Sequence, residues 1–274
     1  MKATRKQTLI TAALIAALAA GTAARAEESE EAIAKATQNP IAAMISAPFQ
    51  YNYDQNIGPQ RTGTKNYINV QPVIPISISE DWNLISRTIV PLVTQSNVVA
   101  GSGTQSGIGD ITQSLFFSPK KPTEGGLIWG VGPVFLLPTA SNDLLGGEKW
   151  GLGPTAVLLK QESGWTYGML ANHIWSVAGT SNRSDISSTF LQPFLSYTTK
   201  SYMTFGVNTE STYNWKTNNS TPWSVPINLS VTQLLKVGQQ RLTLQAGARY
   251  WADSPDAGAH GWGARFAVTF LFPK

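Results

Sequence analysis

The sequence contains no cysteine and two histidines, and charged residues make up 13% of it, against roughly 25% in typical soluble domains. Without cysteine, neither a disulfide framework nor a thiolate metal site can form. His173 and His260 provide no ligand spacing for a metal ion. The glycine-rich stretches precede strand-like segments rather than helices, so no phosphate-binding loop is indicated. We therefore expect no metal and no cofactor.

The amino terminus has the features of a secretory signal peptide. Residues 2–6 carry three positive charges, residues 9–20 are apolar, and residues 24–26 read Ala-Arg-Ala before Glu27. This order of regions predicts that residues 1–26 are a cleaved signal peptide and that the protein is exported. No later run of about 18 apolar residues occurs, which argues against helical membrane spans.

The basic pI of about 9.2 belongs largely to this segment. Four of the 20 lysines and arginines lie in residues 1–26, which leaves 16 basic residues against 16 acidic ones. The mature chain is therefore formally neutral. A nucleic-acid partner loses its main support, because such proteins carry a basic surface.

Apolar and polar residues alternate with a period of two from residue 48 onward, most plainly in 68–78, 223–232 and 262–272. In an exported chain this pattern predicts strands with an apolar face toward lipid and a polar face toward a lumen. The expected fold is an all-β, closed, antiparallel transmembrane β-barrel of about twelve strands in residues 47–274. The expected strands are 47–56, 65–78, 82–95, 109–118, 126–138, 149–160, 164–176, 187–198, 201–214, 223–235, 240–251 and 262–272.

Three further observations bear on the barrel. Compact connections follow the even-numbered strands and longer loops follow strands three, five, seven and eleven, as in outer-membrane barrels with short periplasmic turns. Tryptophans favour the two membrane interfaces. Prolines within strands remove ladder donors, so local bulges are expected. The tryptophans are Trp82, Trp129 and Trp165 at the inferred periplasmic rim, and Trp150, Trp175, Trp215, Trp223, Trp251 and Trp262 at the outer rim; the prolines are Pro72, Pro75, Pro91, Pro133, Pro154, Pro193 and Pro226.

Several short motifs along the mature chain occur together. They read Gly-Ile-Gly-Asp-Ile at 107–111, Trp-Gly-Val-Gly-Pro at 129–133, Leu-Pro-Thr at 137–139, Asn-His-Ile-Trp-Ser at 172–176 and Leu-Gln-Pro-Phe at 191–194. In these motifs the chain resembles the outer-membrane transporter family related to the proteins found with meta-pathway phenol-degradation clusters. The resemblance implies a barrel and the uptake of small solutes, including hydrophobic or aromatic ones. It brings no established binding residues.

Charged and polar residues on the inward parity are the candidates for a selectivity site, because rings of such side chains filter ions and solutes. We expect Arg249 and Arg265 to be neighbours in the outer half. Opposed basic and acidic walls would form a constriction; alternatively, these charges pair and brace the interior. The candidates are Arg241, Arg249, Arg265, Asp110, Glu210, Asn208 and Gln192.

The sequence thus favours a passive, non-enzymatic outer-membrane channel in a Gram-negative cell. Its expected partners are outer-membrane lipids, a small solute and the barrel-assembly machinery. Residues 27–46 form a separate segment, either a periplasmic lead-in or a lumen plug. Two alternatives stay open: a structural or adhesive barrel, and a lipid-modifying enzyme that would need His173 as its base.

Overall fold

The computed structural model describes residues 29–217 and 221–273. The predicted signal peptide lies outside these residues. In the part of the chain that is described, no helix is both long and apolar enough to cross a membrane.

The segment before the barrel contains one short helix, α1 (Glu30–Ala36). Ser29 caps its first turn, because the Ser29 hydroxyl accepts a hydrogen bond from the Ala32 amide at 3.1 Å. Glu30 and Glu31 lie in the first turn, where a carboxylate is favoured by the helix dipole. Part of the separate segment expected at residues 27–46 is thus helical.

The rest of the described chain forms twelve barrel strands, three of which are interrupted once. Each strand pairs antiparallel with the next, and β1 pairs with β12 from Ile45↔Phe272 to Tyr53↔Ala264, which closes the barrel. The predicted fold and strand number are confirmed, although β1 begins two residues earlier than expected. The strands are β1 Ile45–Ile57, β2 Gly63–Val70 with Val73–Ser77, β3 Trp82–Ser96, β4 Thr104–Ile108 with Ile111–Pro119, β5 Leu127–Leu137, β6 Lys149–Glu162, β7 Trp165–Gly179, β8 Ser187–Thr198, β9 Met203–Thr209 with Ser211–Asn214, β10 Trp223–Val237, β11 Gln240–Asp253 and β12 Gly261–Phe272.

The two rims of the barrel differ. The turn rim holds Ile45, Phe272 and the connections after the even-numbered strands, and the loop rim holds the connections after the odd-numbered ones. The longest loop-rim connection is 138–148. All nine tryptophans lie at the rim where the sequence placed them. Trp251 points inward, however, since its indole donates to buried Asp54 at 2.9 Å.

The outer surface of the barrel is apolar. Large side chains on the outward parity are about half exposed, as with Val131 (47%), Leu229 (53%) and Phe266 (53%), while Asn52 and Arg249 on the inward parity are buried. Soluble monomers rarely expose such a continuous apolar surface. A closed sheet with this exterior satisfies its backbone internally and fits a lipid bilayer.

Proline explains where the strands are interrupted. β2 breaks at Gln71-Pro72, and β4 breaks at Gly109 opposite Pro91, whose carbonyl accepts from the Gly109 amide at 2.9 Å. β9 breaks at Glu210 opposite Pro226, where the β10–β11 register also shifts. The bulges expected from proline therefore occur at some of these sites. Pro75 and Pro193, in contrast, lie within continuous registers.

Some apolar side chains face the lumen beside polar ones, which corrects the simple assignment of apolar parity to lipid. In β3 to β7 the inward side chains include a buried apolar cluster of Ile85, Phe116, Val157, Leu159 and Leu170. Ile41, from the segment before β1, packs against this cluster. Because Ile41 and its neighbours cover these side chains, apolar residues are stable inside the barrel.

Candidate functional site

The centre of the candidate site is a carboxylate shared by two arginines. Glu210 lies at the break in β9, and its side chain points into the lumen. Arg265 of β12 donates from Nη1 to Glu210 Oε1 at 2.9 Å and from Nη2 to Oε2 at 2.7 Å. Arg249 of β11 donates from Nη2 to the same Oε2 at 2.8 Å. Bidentate arginine–carboxylate pairing of this kind is both strong and geometrically specific.

Arg249 also reaches the first two strands. Its Nη1 donates to Asp54 Oδ2 at 3.2 Å and to the Tyr67 hydroxyl. The Trp251 indole donates to the other oxygen of Asp54. Arg249 is 1% exposed, so a missing partner would leave a buried charge uncompensated.

Amide side chains complete the arrangement. Asn228 of β10 accepts from Arg249 Nε at 2.8 Å and donates to Asn208 of β9 at 2.9 Å. Asn52 of β1 accepts from Arg265 Nε at 2.8 Å. We call this set the charged belt; it runs along six neighbouring strands, from β9 to β12 and on to β1 and β2. It comprises Asn52, Asp54, Tyr67, Asn208, Glu210, Asn228, Arg249 and Arg265.

The charged belt spans the seam where β12 meets β1, so its bonds tie the first and last strands of the barrel together. The acidic and basic groups lie in contact on the same half of the wall, whereas the sequence hypothesis placed them on opposed walls. This arrangement has the contacts that a bracing role requires. It also concentrates charge beside the lumen, as a filtering role requires.

Two lumen cavities adjoin one another. The turn-side cavity, of about 260 Å³, lies between residues 36–44 and the barrel wall. The loop-side cavity, of about 350 Å³, lies further toward the loop rim. Gln50, Gln71, Arg87 and Gln192 line both cavities, so these four side chains lie where the two cavities adjoin.

The other candidates from the sequence have different positions. Gln192 lines both lumen cavities. Asp110 lies outside the charged belt, because its carboxylate accepts from the Ala140 and Gly147 amides at 3.1 and 2.7 Å and thereby anchors the loop 138–148. Arg241 lies at the turn rim, where its Nε donates to Glu30 Oε1 of α1 at 2.9 Å.

A second loop-rim connection is anchored by an ion pair. Lys149 of β6 donates from Nζ to Asp185 Oδ1 at 3.1 Å. This hydrogen bond lowers the pKa of the Asp185 carboxyl below its usual range. Asp185 also accepts from the Ser176 hydroxyl at 3.2 Å, so residues 180–186 are tied to both β6 and β7.

Several lumen residues were not among the candidates from the sequence: Asp54, Lys65, Arg87 and Asn228. Asp54 and Asn228 lie on a plainly polar parity, so a complete count of inward polar side chains would have found them. Arg87 shares its parity with Ile85 and other apolar residues that line the lumen, which makes the inward face of β3 ambiguous from sequence.

The segment before β1 lies across the turn-rim end of the lumen. Glu30 is bound to Arg241 of β11, and Gln161 of β6 donates to the Lys35 carbonyl at 2.9 Å. These two strands lie on nearly opposite sides of the barrel. Ile33, Ala34, Ala42 and Met44 pack against Leu234 and Leu271 of the wall. We call residues 29–44 the plug segment.

His173 lies on the outer face of the barrel near the loop rim. Its Nδ1 is 2.7 Å from the Thr189 hydroxyl, and its Nε2 is 3.3 Å from the Ser187 hydroxyl. Its ring packs against Trp175 at 4.2 Å between centroids. A serine beside a histidine resembles half of a hydrolase triad, but the group that orients this histidine is a hydroxyl rather than a carboxylate or amide.

A closed twelve-stranded sheet with an apolar exterior and a cavity-containing lumen defines a transmembrane β-barrel of the outer-membrane type. No family model and no curated protein matches the sequence. Among solved structures, an outer membrane channel from Pseudomonas putida F1 is similar, with a TM-score of 0.65 and 14% identity over 84% of this chain and 96% of that chain. At this identity the likeness shows the fold alone.

Two further structures are similar to a lesser degree. Outer membrane phospholipase A from Escherichia coli gives a TM-score of 0.49 at 10% identity, over 83% of this chain and 90% of that chain. The NanC porin gives 0.48 at 11% identity, over 84% and 99%. Both TM-scores are below 0.5, so neither structure distinguishes a channel from an enzyme.

Proposed function

We propose that this protein is a passive channel for small solutes in the outer membrane of a Gram-negative cell. The observation that carries the proposal is the pair of adjoining cavities inside a closed barrel. A barrel of twelve strands falls between eight-stranded barrels, whose interiors side chains can fill, and the open 16-stranded porins. Its narrow lumen suits single small molecules rather than wide, unselective flow.

The orientation follows from the barrel's two rims. The turn rim, which holds both ends of the barrel, faces the periplasm, and the loop rim faces outward. Export uses residues 1–26 as a cleaved signal peptide, and the barrel-assembly machinery inserts the strands. Mass spectrometry of the purified protein tests the cleavage, which should leave Glu27 as the first residue.

The charge of the lumen favours anions. In the described part of the barrel midsection, the inward charged side chains are Lys65, Arg87, Arg249 and Arg265 against Asp54 and Glu210. Four positive and two negative charges leave a surplus of two positive charges. In a narrow lumen with a low-dielectric wall, such a surplus raises the local concentration of anions. The charged belt itself is neutral, with two arginines against Asp54 and Glu210, so the surplus comes from Lys65 and Arg87, and the belt arginines contribute to the positive total while they brace the wall.

The plug segment restricts the periplasmic end of the channel. It closes part of the cross-section, and the turn-side cavity remains between it and the wall formed by β8 to β12 together with β1 to β3. The family resemblance in the sequence motifs supports a role in solute uptake. The similar Pseudomonas putida barrel, described as an outer membrane channel, supports the channel class.

Solute flux into vesicles tests the proposal. Proteoliposomes with the folded full-length mature protein should take up acetate and nitrate faster than they take up choline, while a large entrapped dextran is retained. Heat-denatured protein in matched vesicles is the control for leakage. Uptake no faster than in empty vesicles, from a protein shown to be folded, would refute the channel.

A further inference from the structure

The loop-side cavity is lined by both polar and apolar side chains. The polar ones include Gln71 at the break of β2 and Arg87 of β3. The apolar ones include Leu136 of β5, Ile174 of β7 and Phe190 of β8, and polar residues of the same region of the wall lie between them. An interior built only to conduct hydrated ions has no need of these apolar side chains, because apolar side chains disfavour water.

Arg87 is the one arginine of the barrel midsection, within the described residues, that does not contact a carboxylate. Its Nη2 donates to Gln71 Oε1 at 3.0 Å, and this is the hydrogen bond that Arg87 makes among the described residues. A guanidinium carries five N–H donors in a planar fork that matches a carboxylate. Arg249 and Arg265, by comparison, direct their donors to the charged belt. Arg87 is therefore the midsection arginine that is available to a ligand.

We infer that the loop-side cavity binds small carboxylates that carry an apolar body, with the carboxylate on Arg87 and the body against Leu136, Ile174 and Phe190. The inference rests on the proposed function, because it places the site on the proposed solute path. A cavity of about 350 Å³ lies within the range of small-molecule sites. The Gln192 amide lines the same cavity and supplies a further polar group beside Arg87.

Charge and wall chemistry together select this ligand class. Glu210 lines the same cavity, but its carboxylate is bound by two guanidinium groups, so it does not repel an anion as an isolated acid would. A cation would face the guanidinium group of Arg87, which contacts no carboxylate among the described residues. An apolar ligand body is favoured by Leu136, Ile174 and Phe190, because contact with these side chains removes its apolar surface from water.

Ligand-observed fluorine NMR on the folded mature protein in micelles tests the inference, with empty micelles measured in parallel. The probe is 4-fluorobenzoate. Its comparisons are 4-fluorobenzyl alcohol, which has the same ring without the charge, and fluoroacetate, which has the charge without the ring. 4-Fluorobenzoate should bind at least about tenfold more tightly than either, the scale expected of a charge-assisted hydrogen bond.

Variants locate the site. Arg87→Gln should weaken 4-fluorobenzoate binding about tenfold and leave the alcohol unaffected, while Arg87→Lys, which keeps the charge, should retain part of the affinity. Phe190→Ala should weaken the benzoate and the alcohol alike. Arg61→Gln removes an equal charge from an exposed position in the β1–β2 connection and should change nothing.

The outcomes separate this inference from the channel itself. Equal 4-fluorobenzoate binding in wild type and Arg87→Gln, or no binding to the wild type, overturns the inference. If acetate flux persists in that case, the channel stands without the site. Binding that depends on Arg87 in a protein without flux supports the site and refutes the channel.

Discussion

Glu210 Oε2 accepts hydrogen bonds from Arg249 Nη2 at 2.8 Å and from Arg265 Nη2 at 2.7 Å, so one oxygen atom joins β9 to two strands beyond its neighbour β10. The two guanidinium groups would repel one another without this carboxylate. Because Arg249 and Arg265 are 1% and 4% exposed, water does little to screen that repulsion. Glu210 is therefore the acid that joins the two arginines, whereas Asp54 pairs with Arg249 alone.

Replacing that acid tests the bracing role. Glu210→Gln should lower the free energy of unfolding by about 3–5 kcal/mol, because it leaves the buried charge of Arg265 without a carboxylate partner. The measurement is urea unfolding of the barrel in lipid vesicles. Glu162→Gln removes the same charge from a half-exposed pair with Lys160 and should change stability little. Equal effects of the two substitutions would contradict the bracing role.

Neutralising the arginines tests the filtering role. Arg249→Gln and Arg265→Gln should each shift the reversal potential in a salt gradient toward lower anion preference, since each removes one positive charge from the lumen. Arg61→Gln, outside the lumen, is the matched control. A folded variant with reduced stability and unchanged selectivity would mean that the charged belt only braces the wall.

Removal of the plug segment tests whether it restricts the channel. Deleting residues 30–40 should raise single-channel conductance several-fold, because the turn-side end of the lumen is then open. Glu30→Gln, which breaks the ion pair with Arg241, should give more frequent transitions to this high-conductance state. Glu31→Gln, at an exposed position of the same helix, is its control. Unchanged conductance after the deletion would exclude a plug.

The outer-face histidine allows a direct test of the enzyme alternative. The folded protein should not hydrolyse phospholipids, because the Thr189 hydroxyl beside His173 does not stabilise an imidazolium as a carboxylate does. His173→Ala and Ser187→Ala should leave solute flux unchanged. Lipid hydrolysis that is lost in both variants would replace the channel with an enzyme.

The sequence predicts the fold well because the alternation of apolar and polar residues that marks a strand is a local pattern. Alternation in 223–232 and 262–272 marks strands without knowledge of their partners, and an even strand count follows from short turns alternating with longer loops. Which strands direct apolar side chains into the lumen cannot be read from a local sequence pattern. Phe116 and Leu159 face inward by the alternation of their strands, and burial of both against Ile41, which is distant in the chain, makes that placement stable.

The candidate site is predictable in part for the same reason. The proximity of Arg249 and Arg265 follows from their places in one hairpin. The attachment of Glu210 to both depends on the break opposite Pro226, and the pairing of Arg241 with Glu30 depends on where the plug segment lies. Asp54 of β1 pairs with Arg249 of β11 across the barrel seam. No local sequence pattern shows how the strands are aligned there.

Single-channel recording tests the central claim most directly. The mature protein, refolded and inserted in a planar bilayer under a potassium chloride gradient, should show discrete conductance steps whose reversal potential indicates a preference for chloride. A protein shown to be folded that gives no steps, even after residues 30–40 are deleted, would contradict the account of a solute channel.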